Sequence, residues 1–164
     1  MATLFILFTG LAAAVVTDVR TRRIPNWLTG AIAGAGFGLA CGGGTVTPLQ
    51  AALGLLAGLL LMMPGHVIGA TGAGDVKLMA AVGSVVGPEM VLRAFLYSAV
   101  AGGVFAIAVA ARRGRLGATL QDAGRLVTSP AGAREAIESP ARANRFAYGP
   151  AIAAGTLVSL MVTS

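Results

Sequence analysis

Residues 90–111 read MVLRAFLYSAVAGGVFAIAVAA, an apolar run broken by one charge, Arg93. A hydrocarbon core about 30 Å thick is crossed by about 20 such residues in an α-helix. Away from water, a helix also satisfies every backbone N–H and C=O internally. Five further apolar segments flank this run, at Ala2–Thr17, Trp27–Ala40, Pro48–Met63, Val76–Val86 and Phe146–Val162. Val76–Val86 is the shortest, and needs bilayer thinning or a wet cavity at its ends. Composition agrees: 56% of residues are hydrophobic, 11% are charged, and mean hydropathy is +0.83. Soluble domains carry about 25% charged residues to face water. The reading is an all-α, polytopic membrane protein of about six transmembrane helices, forming one transmembrane domain over residues 1–164.

The same arithmetic excludes disorder, which needs low hydrophobicity and high charge. The 24 Gly lack a collagen period, and one cysteine, Cys41, builds neither a disulfide nor a multi-cysteine zinc site. No basic residues precede the first apolar run, so it reads as a retained helix rather than a secretory signal.

Orientation follows the arginines. Arg20, Arg22 and Arg23 separate the first two segments. Arg112, Arg113, Arg115, Arg125, Arg134, Arg142 and Arg145 separate the last two. The connections 41–47 and 87–89 carry no basic residue. The positive-inside rule then places both Arg-rich loops and residues 64–75 in the cytoplasm, with both termini outside. This accounts for the pI of 11.1 without nucleic acid as a partner. Within the basic cytoplasmic loop 112–145, Leu116, Leu120, Ala123 and Val127 recur at helical spacing. The pattern fits an amphipathic helix on anionic lipid, and a solvated connector fits equally well.

Ionisable groups at membrane depth carry the functional question. Asp122, Glu135 and Glu138 fall in the loop and Glu89 in an outer connection, leaving Asp18 and Asp75. The topology puts both at one depth on the cytoplasmic side. Two such carboxyls, held close, retain one proton between them. The ionised member can then take a proton from an attacking water, and the protonated member can hydrogen-bond the scissile carbonyl. That aspartic peptidase chemistry needs neither metal nor cofactor. The bland alternative pairs Asp18 with neighbouring Arg and makes Asp75 a helix cap. In Gly72-Ala73-Gly74-Asp75, two glycines permit close backbone approach before an Asp that opens a helix. Lys77 either biases the dyad or snorkels to lipid phosphate. Pro25 can open the helix beginning near Trp27; Asn26 either caps that helix or hydrogen-bonds substrate, and capping is the expected role.

Three stretches resemble the type IV prepilin peptidases of the Gly-x-Gly-Asp aspartic class, in their compact Flp/Tad form. They are Asp18-Val-Arg-Thr-Arg-Arg-Ile-Pro25-Asn26, Gly72-Ala-Gly74-Asp75-Val-Lys77-Leu and Phe146-Ala-Tyr-Gly149-Pro150-Ala-Ile-Ala. The resemblance implies that Asp18 and Asp75 are catalytic. It implies supporting roles for Pro25, Asn26, Gly72, Gly74, Lys77, Gly149 and Pro150. It also implies a pilin-like precursor as substrate, cut at its basic leader on the cytoplasmic face of a bacterial inner membrane. Archaeal preflagellin peptidases share the dyad logic. Larger family members carry an N-terminal cytoplasmic region with paired cysteines, associated with N-methylation; that activity is not expected here.

The rival function is a small transporter or pilus-assembly scaffold using the Asp pair as an ion site. Self-association stays open. His66, the sole histidine, reads as a neutral boundary residue, and Met62, Met63 and Met79 as packing. Ser84 and Ser98 lack a histidine partner for serine-type chemistry. Gly34 and Gly38, and Gly54 and Gly58, are expected to bring helices together at four-residue spacing.

Overall fold

A computed structural model describes residues 2–67, 69, 71–112 and 148–163. The described residues form six helices: α1 (Ala2–Thr21), α2 (Asn26–Cys41), α3 (Pro48–Val67), α4 (Ala73–Val86), α5 (Pro88–Arg112) and α6 (Gly149–Thr163). Each apolar segment of the sequence falls on one of them, with Phe146 and Ala147 of the last segment outside the described residues. Three helices, Ala2–Thr21, Pro48–Val67 and Pro88–Val109, are long and apolar enough to cross a membrane, and Gly149–Val162 is a shorter apolar helix. The architecture is that of an all-helical membrane protein. Most of the loop 112–145, with the amphipathic pattern expected there, lies outside the described residues.

α4 occupies the centre and packs against each of the other five helices. It is buried on all sides from Leu78 to Val85, as an apolar helix without a polar face must be. Its 14 residues rise about 21 Å, less than a bilayer core, but its neighbours rather than lipid surround it. The outer helices instead present Phe5, Leu49, Leu60, Val100 and Met161 outward, an apolar exterior that suits lipid.

Lipid is as apolar as leucine, so helices in a membrane associate through close packing rather than through burial from water. The glycines of α3 show how. A methyl group on Gly54 or Gly83 would run into the other residue's carbonyl, and one on Gly58 would meet the Met79 carbonyl. The Gly54 and Gly58 pair therefore joins α3 to α4, as expected. The Gly34 and Gly38 pair does not act this way, since nothing lies within 4 Å of a methyl built at either. Gly36, on the opposite side of α2, makes that helix's close approach: a methyl there would stand only 2.7 Å from Ser84 Oγ of α4. Gly87 ends α4 at φ 82°, a left-handed conformation suited to glycine, and Pro88 starts α5 immediately.

Hydroxyls within the core are satisfied by their own helices. Ser84 Oγ donates to the Ala81 carbonyl at 2.7 Å, Ser98 Oγ to Ala94 at 2.6 Å and Thr156 Oγ1 to Ile152 at 2.8 Å. Ser84 and Ser98 are thus packing residues with committed hydroxyls.

Candidate active site

On α1 the buried positions Leu7, Leu11, Ala14 and Asp18 recur at spacings of four, three and four residues. That is one face of a helix, so the stripe that seats α1 against the bundle carries the Asp18 carboxyl inward with it. Asp18 is 5% exposed. A negative charge in the last turn of α1 opposes that helix's macrodipole. The compensation comes from elsewhere in the chain: the Gly149 N–H, opening α6, donates to Asp18 Oδ2 at 2.9 Å. The helix that presents this donor favours the charge its own helix disfavours. A Cβ at Gly149 would stand 2.7 Å from the same oxygen, so only glycine lets the backbone come this close. Pro150 follows at the second helical position, where its missing N–H goes unmissed.

Asp75 is held by its own neighbourhood. It sits in the first turn of α4, 7% exposed, and its Oδ2 accepts the Gly72 N–H at 3.0 Å. This is the back-reaching half of a capping box, with the acidic group in the favourable first turn of its helix. Gly72 holds an extended conformation, φ −76° and ψ 152°, so it turns the chain into α4 without needing positive φ. Gly74 passes over buried Ile24, whose Cβ would lie 3.1 Å from a methyl at that glycine. Through Ile24, the segment after α1 is pressed against the start of α4. α1 and α4 pack against one another, so the two aspartates come from contacting helices.

Pro25 and Asn26 divide the work differently from expectation. Pro25 occupies the cap position of α2, at φ −64° and ψ 139°, and no side chain caps the helix. Asn26 is already the first helical residue, so its side chain is turned away from the capping geometry. Its Oδ1 instead accepts Lys77 Nζ at 2.9 Å, tying the start of α2 to the first turns of α4. Lys77 is therefore engaged with a neutral amide. Arg22 adopts φ 53° after α1, with its N–H on the Asp18 carbonyl at 2.8 Å, which turns the chain toward Pro25. His66 Nδ1 lies 3.2 Å from the Thr71 carbonyl, across the connection that leads into Gly72. Among the described residues, no three His, Cys, Asp or Glu side chains cluster as a metal site.

A model of the type IV leader peptidase family matches residues 5–107. The chain belongs to the type IV leader peptidase family. Membership makes it a peptidase, and the matched range takes in both aspartates with their flanking motifs. The Gly149–Pro150 stretch lies beyond that range, and its link to the candidate site rests on the Asp18 hydrogen bond. No curated protein and no solved structure matches the chain.

Sequence reasoning passed over one residue at this site, Tyr148, although it directly precedes Gly149 and Pro150. Its ring packs on α5 at Gly102, and its hydroxyl donates to the Ser98 carbonyl at 3.3 Å. Position was the available signal, since an aromatic ring beside the glycine and proline that open the last helix sits where that helix must be anchored.

Proposed function

We propose that this leader peptidase is an aspartyl endopeptidase that removes the basic leader of pilin-like precursors at the cytoplasmic face of a bacterial inner membrane. The observation that carries the reading is the matched setting of Asp18 and Asp75: both are buried, they come from two helices that pack together, and each accepts a backbone N–H at a helix start. Family membership supports proteolysis, and the dyad supplies a route to it.

In that route one carboxyl is ionised and the other protonated, because two neighbouring carboxylates in an apolar surround repel one another. Water between them gives a proton to the ionised member and attacks the scissile carbonyl. The protonated member hydrogen-bonds the carbonyl oxygen as charge develops there. Collapse of the tetrahedral intermediate passes a proton to the departing amine. Neither a metal nor an organic cofactor takes part.

The same reading makes all six helices membrane-embedded, with both termini outside and the Arg-rich segments facing the cytoplasm. A precursor whose leader is basic and whose following helix is apolar then offers its scissile bond at the membrane boundary, beside the dyad. Lipid is the other partner and nucleic acid is not one. N-methylation of the product is not part of the activity, and self-association is not required by the chemistry.

The test is cleavage of a pilin-like precursor by the purified full chain in detergent, where no ion gradient exists. Wild type yields the shortened product, and Asp75→Asn lowers the rate by at least about 10²-fold, the scale of a lost acid–base group. Dependence on an ion gradient, with no cleavage of any precursor, would instead favour a transport site.

A further inference from the structure

The bond that holds Asp18 is only as well placed as the first residue of α6, and the structure contains an anchor for that residue. The Tyr148 ring lies along α5 over Gly102, where a methyl would come within 2.6 Å of the ring carbon Cε2. One turn earlier on the same helix face, the Ser98 carbonyl accepts the Tyr148 hydroxyl at 3.3 Å. Farther along α6, Gly155 packs directly onto Ser98, so a methyl there would also collide with α5. These contacts fix α6 on α5 at two levels, and Tyr148 is the upper clamp. Its carbonyl accepts the N–H groups of Ala151 at 3.0 Å and Ile152 at 3.1 Å, so the residue also forms the first hydrogen-bonded turn of α6. The next residue is Gly149, the donor to Asp18.

We propose that Tyr148 is a positioning residue for the leader peptidase reaction: by seating its ring on Gly102 it fixes the Gly149 N–H against the Asp18 carboxyl. This rests on the dyad reading above. The path runs from α5 through the ring to the backbone, then to the carboxylate, and each link is a contact in the fold. The glycine at position 102 leaves room for the ring, and the glycine at position 149 leaves room for the carboxylate. The hydroxyl contributes less than the ring, because its hydrogen bond is long and goes to a carbonyl already within a helix.

Three variants test this in the full chain in detergent, with cleavage of a pilin-like precursor and amide hydrogen exchange at Gly149 as readouts. Tyr148→Ala lowers kcat by about 10²-fold with KM little changed, the scale of a displaced catalytic group. The Gly149 amide also exchanges faster in that variant. Tyr148→Phe keeps kcat within about threefold of wild type, since it loses one neutral hydrogen bond and retains the ring. Gly102→Ala, with Tyr148 intact, displaces the ring and reproduces the loss in kcat in milder form. If Tyr148→Ala does not fold, Gly102→Ala decides by the same two readouts.

A rise in KM with kcat preserved would mean that Tyr148 touches substrate and would overturn positioning. Equal damage by Tyr148→Phe and Tyr148→Ala would assign the chemistry to the hydroxyl and overturn it too. Wild-type kcat in Tyr148→Ala, or unchanged Gly149 exchange, also contradicts the proposal. Should wild type cleave no precursor, the peptidase reading fails by itself, and Gly149 exchange in the three variants still decides the anchoring.

Discussion

Asp75 and Asp18 are held in opposite ways. Asp75 is held by a glycine three residues before it, within one continuous turn of chain. Asp18 is held by a glycine 131 residues away, across the helix bundle. The first arrangement forms as soon as α4 forms. The second requires α1, α5 and α6 to be packed together first. Half of the proposed dyad is therefore local chemistry and half is tertiary packing, so the two halves respond differently to the same kind of substitution.

The largest contrast is between alanine at the two glycine donors. Gly149→Ala drives a methyl toward Asp18 Oδ2 from a buried helix start, and it is expected to lower kcat by about 10²-fold. At Gly72 the methyl meets the Asp75 carboxylate at 3.1 Å, the end of a side chain that can rotate. Gly72→Ala is expected to cost less than about tenfold in kcat. Equal losses in steady-state cleavage would break the distinction between a local and a long-range site.

Stability separates a second pair. Gly54→Ala forces α3 off α4, with an expected cost of about 1–3 kcal/mol, the usual range for overpacking a close contact. Gly34→Ala and Gly38→Ala meet open space and are expected to leave thermal unfolding in detergent unchanged or slightly improved, since alanine is the better helix former. A melt in which Gly34→Ala falls as far as Gly54→Ala would contradict the packing described here.

The smallest effect belongs to the link between α2 and α4. Asn26→Ala removes the acceptor for Lys77 at an exposed position, so a loss of less than about 1 kcal/mol in stability is expected. A cleavage rate much below wild type in Asn26→Ala would show that the amide also contacts substrate.

These contrasts follow what was legible in the sequence. The six apolar segments and the place of Asp75 at the start of α4 could be read from composition, punctuation and the Gly72–Asp75 string, all local signals. The face of Asp18 was also written there, because Leu7, Leu11, Ala14 and Asp18 keep helical register. Its hydrogen-bond partner was not, since no periodicity in α1 points to Gly149. Glycine spacing failed for a related reason. Gly34 and Gly38 share a face of α2, but spacing does not say which face meets a neighbour, and Gly36 on the other side makes the contact. Asn26 was misjudged because the cap position fell one residue earlier, on Pro25, freeing the amide to bond Lys77.

Everything proposed for this site requires Asp18 to be a working half of a catalytic pair rather than a packing residue at the end of α1. Asp18→Asn is the decisive variant, because the amide oxygen can still accept the Gly149 N–H while the carboxylate is gone. A catalytic Asp18 means an intact fold by thermal unfolding and no detectable cleavage of a pilin-like precursor that wild type processes. Cleavage by folded Asp18→Asn at the wild-type rate would show that Asp18 only packs.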